Sequence, residues 1–276
     1  METRYLADGV RYAGLGSAEL RETFLVDSLF EPGCIRLVAC EADRAVIGSA
    51  VPVAGPLPLA AAAELRADYF CQRRELGVLN IGGPGSVRVD GATYSLGTLD
   101  GLYVGRGSRE VVFTSAEAAR PAAFYLASYP AHASYPTTAA RQAEAAAVRL
   151  GTQAECNCRT IRKYIHPDGI RSCQLVMGFT VLEEGSVWNS MPPHTHPRRS
   201  EIYLYFDLAP EARVFHFMGR PDETRHLVVA DRQAVISPAW SIHCATATRR
   251  YTFCWAMGGE NQTFDDMDGL KVGELR

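Results

Sequence analysis

The chain of 276 residues has no run approaching 18 uncharged apolar residues, which excludes a bilayer-spanning helix. It also lacks a basic excess: 28 Lys and Arg stand against 31 Asp and Glu, a formal net charge of −3. That balance argues against nucleic-acid or membrane partners, and local basic clusters read as contacts for small anions. The eight cysteines (34, 40, 71, 156, 158, 173, 244 and 254) lack paired spacing. Cys156-Asn157-Cys158 is a close pair without the second pair of a zinc ribbon, so reduced, mostly buried thiols are expected. The start, Met1-Glu2-Thr3-Arg4, has neither the basic opening nor the apolar core of a secretion signal, and the expected location is cytoplasmic.

Helical patterning is scarce as well. It is confined to 17–29, 59–70 and the alanine-rich 138–150, amid many short strands broken by Gly, Pro, Asp and Asn. Asp90-Gly91 between two such runs signals a type I′ hairpin. This pattern predicts a mainly β architecture of barrel or sandwich type. The two halves share a grammar. Arg73-Arg74-Glu75 leads into Leu76-Gly-Val-Leu-Asn80 as Arg198-Arg199-Ser200-Glu201 leads into Ile202-Tyr-Leu-Tyr-Phe206. Further on, Asp100 to Gly105 corresponds to Gln233 to Pro238. The reading is a degenerate repeat: a first barrel over 1–140, a helical linker over 141–158 and a second barrel over 159–276.

The chemistry concentrates in the second half. His194-Thr195-His196 puts two imidazoles on one face of a strand, and Pro197 to Ser200 has the character of a turn that returns Glu201 toward them. His243 follows Pro238 at the expected start of a later strand. Three nitrogens and one oxygen suit zinc, but also iron, manganese or nickel. Setting Glu75 against Glu201 places Asp68 and Phe70 where the first two histidines stand, and Glu110 falls where His243 stands. The first half therefore has no counterpart of the histidine ligands. Gly82-Gly83-Pro84-Gly85 precedes no helix and reads as a turn. Asp265 to Gly269 lacks the closing acid of a calcium loop and reads as a solvated or interface loop. His132, His166, His216 and His226 lack ligand spacing.

Five segments together carry a resemblance: Glu75 to Gly83, Leu102 to Gly105, Met191 to His196, Gln233 to His243 and Gly259 to Asp268. They closely resemble the 5-keto-4-deoxyuronate isomerase family of the cupin superfamily, over nearly the whole chain. The resemblance implies two jelly-roll barrels in tandem and one zinc per subunit on His194, His196, Glu201 and His243. It also implies a cytoplasmic homohexamer. The implied reaction converts 5-dehydro-4-deoxy-D-glucuronate to 3-deoxy-D-glycero-2,5-hexodiulosonate in pectin or polyuronide breakdown.

Such a reaction builds negative charge on a carbonyl oxygen and needs a cation for the substrate carboxylate. Arg199, Arg162 and Gln262 are candidates for holding the substrate, and Glu201, Lys163 and Tyr205 for moving a proton. Tyr203 shares the face of Glu201, and Asp265 is a further base candidate. Two other functions fit the same four ligands: an iron- or nickel-dependent cupin dioxygenase, and a non-catalytic sugar-acid-binding cupin.

Overall fold

The computed structural model describes residues 1–276 and is mainly β. It divides into two compact units. The first comprises 1–4, 28–145 and 164–177; the second comprises 5–27, 146–163 and 178–276.

The first unit is built on a seven-stranded sheet in the spatial order Glu2–Arg4, Ile35–Cys40, Val46–Ala50, Phe124–Pro130, Arg74–Asn80, Gly101–Val104, Thr138–Ala140. A second sheet runs Leu57–Pro58, Val111–Ser115, Gly85–Val89, Ala92–Leu96. The two pack face to face through Leu76, Val78 and Phe124 on one side and Val87, Val111 and Phe113 on the other. Between Gly85–Val89 and Ala92–Leu96 the chain reverses through Asp90 (φ 47°) and Gly91 (φ 88°), both left-handed as a type I′ turn requires.

The second unit repeats the plan. Its large sheet runs Ala147–Leu150, Arg159–Ile165, Val176–Leu182, Thr252–Gly259, Arg199–Phe206, Gln233–Ser237, Leu25–Val26. A three-stranded sheet of Glu223–Val229, Val214–Arg220 and Ile242–Ala247 faces it, with Tyr203 and Tyr205 of the large sheet against His243 and His216 of the small one. A short ladder joins His194–Thr195 to Asp268–Gly269. In both large sheets, the strand that begins with an Arg and carries the repeated Glu is hydrogen-bonded on both sides, which buries all of Arg74–Asn80 and all of Arg199–Phe206.

The expected helices are largely absent. Of 17–29, Ser17–Phe24 is α-helical and Leu25–Val26 joins the second unit's sheet. Within 59–70 there is no α-helix: Ala63–Leu65 makes a 3₁₀ turn and Phe70 begins another, while Leu59 and Phe70 lodge in the first unit's core and Leu65 packs against it. The alanine-rich linker is not helical: Thr138–Ala140 adds to the strand Gly101–Val104 and Ala147–Leu150 to Arg159–Ile165. A lone helix of about a dozen residues is marginal in water, so ladder bonds along two open sheet edges win over alanine's propensity. Asp100 pins the turn between them by accepting from the Gln142 amide and the Arg141 guanidinium. No helix is long and apolar enough to cross a membrane, and all eight cysteines are free.

Candidate metal centre

The strand Arg199–Phe206 alternates strictly, so Glu201, Tyr203 and Tyr205 project from one face. Just before it, the Arg199 amide donates to the His196 carbonyl at 3.0 Å, closing the turn that brings His196 back over Glu201. His243 arrives from the opposing sheet, on the strand Ile242–Ala247. His194, His196, Glu201 and His243 converge, each offering one ligand atom, and these atoms lie within 4.8 Å of one another. His196, Glu201 and His243 are buried, while His194 is half-buried at the mouth.

The donor set fits a cation. His196 Nδ1 lies 2.9 Å from the Arg199 carbonyl, and His243 Nδ1 lies 3.3 Å from the Ser241 carbonyl. Each carbonyl fixes the proton on Nδ1 and turns the lone pair of Nε2 inward, the outer-shell arrangement that orients metal-binding imidazoles. Those two Nε2 atoms each stand 3.0 Å from Glu201 Oε2, and His243 Nε2 stands 3.0 Å from His194 Nε2. Lone pairs this close repel unless a positive charge lies among them. The site calls for positive charge in either form, as a cation or as a proton on an imidazole. Burial pushes the Glu201 carboxyl up, but the charge and bonds of His243 and His196 more than offset it, keeping it ionised. Burial also opposes protonation of His196, yet the bonded Glu201 carboxylate raises it. His194, lacking that bond, is pushed down to about 3 by burial and by His243.

Beside the cluster opens a cavity of ≈ 690 Å³, a size usual for small-molecule sites. Its wall is mostly apolar, with Phe253, Trp255, Met257 and Phe264, and its cations are Arg159, Arg199 and Lys271. Asp265 and Glu201 are its carboxylates. Tyr203 also lines it, its hydroxyl 3.2 Å from Ser190 Oγ, and burial raises that phenol well above its ordinary value, so it stays protonated.

The segment 260–271 forms one wall, held by two arginines from the metal turn. Arg198 Nε meets both oxygens of Asp266 at 2.7 and 2.8 Å, and Nη2 reaches Asp268 at 3.2 Å. Arg199 donates to the carbonyls of Thr263 (2.6 Å), Phe264 (3.3 Å) and Asp266 (3.2 Å). Gly259 permits this closeness: a Cβ there would stand 2.6 Å from Arg199 Cα.

Several expectations about individual residues change. Arg199, a candidate for holding the substrate, lines the cavity, but its Nη groups are spent on the loop. Arg162 does not line the cavity: strand alternation aims it away from the face carrying Arg159 and Ile161, both of which do. Lys163 Nζ sits 3.5 Å from the centre of the Phe264 ring, behind the lining. Tyr205 lies deeper than the cavity, its hydroxyl 2.7 Å from His216 Nδ1. Gln262 is half-buried and outside the lining. Arg159 and Lys271, not singled out from sequence as carboxylate holders, take the places at the wall.

Fold and site together define a mainly β, cupin-like protein with a His₃Glu group able to hold a metal ion. The chain belongs to the KduI/IolB family, which matches it over residues 28–271. A 4-deoxy-L-threo-5-hexosulose-uronate ketol-isomerase of Halalkalibacterium halodurans is 52% identical over 276 residues, covering 100% of both chains. One of the same description from Lachnoclostridium phytofermentans is 51% identical, again with 100% of each covered. Among solved structures, an IolB-like protein of Salmonella typhimurium superposes with a TM-score of 0.71 at 16% identity, covering 87% of this chain and 94% of that one. Bacillus subtilis oxalate decarboxylase, with its Mn(II) centres, gives 0.56 at 11% identity over 79% and 70%. These two likenesses bear on the fold alone.

Proposed function

We propose that the chain is a cytoplasmic, zinc-dependent 4-deoxy-L-threo-5-hexosulose-uronate ketol-isomerase of polyuronide (pectin) breakdown. It converts 5-dehydro-4-deoxy-D-glucuronate to 3-deoxy-D-glycero-2,5-hexodiulosonate. The subunit is read as two tandem barrels, the first without metal ligands, and the assembly as a homohexamer. The observation that carries the reading is the convergence of three imidazole nitrogens and a carboxylate at the wall of a mostly apolar cavity. Full-length relatives at about half identity bear the isomerase name.

His194, His196, Glu201 and His243 would hold the ion, which supplies a Lewis acid for the carbonyl and its neighbouring hydroxyl. Glu201 balances its charge and, tied to His196 and His243, is not available as a base. Asp265 is the remaining carboxylate of the cavity and takes the role of moving the proton between C1 and C2. Tyr203, kept protonated, donates a hydrogen bond toward substrate oxygen. Arg159 and Lys271 provide the positive charge for the substrate carboxylate, with Arg159 the bidentate partner. The aromatic wall and the clasped segment 260–271 exclude water from an enediolate.

The test is turnover of the unsaturated-uronate product in deuterated water, followed by NMR, with metal analysis of protein purified without added metal. Product carrying deuterium at C1 and about one zinc per chain is expected. Stoichiometric iron with oxygen uptake and no isomerised product would overturn the reading.

A further inference from the structure

The first unit holds a cavity of ≈ 380 Å³ that the isomerase reading leaves unused. Four arginines line it, Arg44, Arg73, Arg74 and Arg106, together with Phe70 and His132, and no carboxylate does. Elsewhere in the chain arginines meet acids, as Arg198, Arg220 and Arg250 do. These four meet neutral oxygens instead. Arg73 Nη2 donates to the carbonyls of Leu65 (2.7 Å) and Arg66 (2.5 Å). Arg74 donates from Nε to Ser128 Oγ (3.1 Å) and from Nη2 to the carbonyls of Arg44 (2.6 Å) and Ser128 (2.8 Å). Arg106 Nη1 donates to the His132 carbonyl at 3.0 Å, and Arg44 Nη1 to the Glu41 carbonyl at 3.4 Å.

Those carbonyls fix the guanidiniums without neutralising them. They leave Arg73 Nη1, Arg74 Nη1 and Arg106 Nη2 without protein partners. Two carboxylates close to these arginines in sequence, Glu75 and Asp68, are committed elsewhere. Glu75 lies on the other face of the strand from Arg74 and gives both oxygens to Tyr103 and the amides of 173–175. Asp68 Oδ2 accepts from the Gln72 amide. Arg74 is only 8% exposed, and burial without a counter-charge holds its guanidinium down to about 10. Buried charge of one sign is costly unless something pairs with it. Positioned planar donors with no acid among them match the oxygens of phosphate and carboxylate groups.

We propose that this cavity is a second ligand site, binding a small organic polyanion: a phosphate monoester or a di- or tricarboxylate. It is separate from the metal centre and owes nothing to the isomerase reading. Its volume suits a ligand of a few carbon atoms with two or three negative charges.

The experiment is calorimetry on the full, metal-loaded chain with inorganic phosphate and with citrate, against sodium chloride at matched ionic strength. Saturable binding of about one anion per chain is expected, weakened at least about tenfold in Arg106→Gln and in Arg73→Gln and unchanged in Arg159→Gln. Tighter phosphate than citrate identifies a phosphate-ester ligand; the reverse identifies a polycarboxylate. Binding no better than chloride overturns the proposal. So does binding that survives Arg106→Gln and is lost in Arg159→Gln, because it then belongs to the metal cavity. Should the arginine variants fail to fold, wild-type crystals soaked in tungstate decide. Anomalous density between Arg73 and Arg106 supports the site, and density confined to other places overturns it.

Discussion

Glu75 and Glu201 occupy the same place in two copies of one plan, and they end in opposite surroundings, one among donors and one among acceptors. Each sits near the start of a fully buried strand flanked on both sides in a seven-stranded sheet, Glu75 second and Glu201 third. Glu75 accepts four bonds from donors: the Tyr103 hydroxyl at 2.8 Å and the amides of Cys173, Gln174 and Leu175 at 2.6, 2.8 and 2.8 Å. Its charge is answered and the site is closed. Glu201 instead faces the inward Nε2 atoms of His196 and His243. Two acceptors and a carboxylate leave a demand for positive charge that only a cation or a proton meets. The carboxylate is thus a fixture of the repeat, and its neighbours decide between a structural knot and a metal centre. The residues set against the histidines show the same divergence. Asp68 bonds with Gln72, Phe70 fills the core, and Glu110 pairs with Arg88.

Breaking the metal side of the comparison has the largest effect. His196→Ala is expected to lower kcat/KM by about a thousandfold or more, the several kcal/mol that a Lewis-acidic ion contributes. Metal analysis of the purified variant should show the loss in parallel; full occupancy with wild-type turnover would contradict the site. Breaking the structural side should do the converse. Glu75→Ala strands three amides, those of Cys173 and Gln174 part-buried and that of Leu175 buried, and a buried hydroxyl, and we expect a loss of roughly 3–5 kcal/mol in urea unfolding with metal content per folded chain unchanged. A metal-poor but stable Glu75→Ala protein would mean that the two carboxylates are not divided in this way.

The third test sharpens what the second unit alone possesses. Arg159→Gln and Lys271→Gln each remove a cation from the cavity wall, and KM for the uronate should rise roughly 10–100-fold with kcat little changed. Arg162→Gln, on the opposite face of the same strand, should leave KM near wild type. Equal effects from Arg159 and Arg162 would show that strand parity does not select the carboxylate partner.

Much of this was legible in the sequence because it rests on short-range periodicity. The His-x-His pair, the turn to Glu201 and the Asp90-Gly91 hairpin are each set by local geometry, and the repeat shows wherever strand patterns recur. What escaped depends on distant partners. Arg199 reads as a substrate arginine until the carbonyls of Thr263, Phe264 and Asp266, more than 60 residues away, are seen to occupy it. The alanine-rich 138–150 reads as helix until two open sheet edges claim it. Lys271 carries no motif of its own; only the ladder pairing 268–269 with 194–195 draws it to the cavity. Parity within Arg159–Ile165 did hold a usable signal. Alternation alone separates Arg159 from Arg162.

The smallest expected effect concerns the clasp that the first unit has no need of. Arg198 and Asn261 hold the Asp266 carboxyl down to about 2 from its ordinary 3.8. A depressed carboxyl favours the folded clasp wherever it is ionised, so the contribution is complete above about pH 4 and is lost as pH falls through about 2. Above that window acidification should leave the clasp intact, and any loss of activity between pH 6 and 4 must come from another group. Asp266→Asn keeps the shape of the side chain and removes its charge. Because the ion pair is only half-buried and open to solvent screening, the expected cost is a rise in KM of about threefold, insensitive to pH between 4 and 8 and shrinking at high salt. A variant with unchanged KM at low salt would mean that the three carbonyl bonds of Arg199 suffice to hold segment 260–271 against the cavity. The Arg198 pair would then contribute nothing to substrate binding.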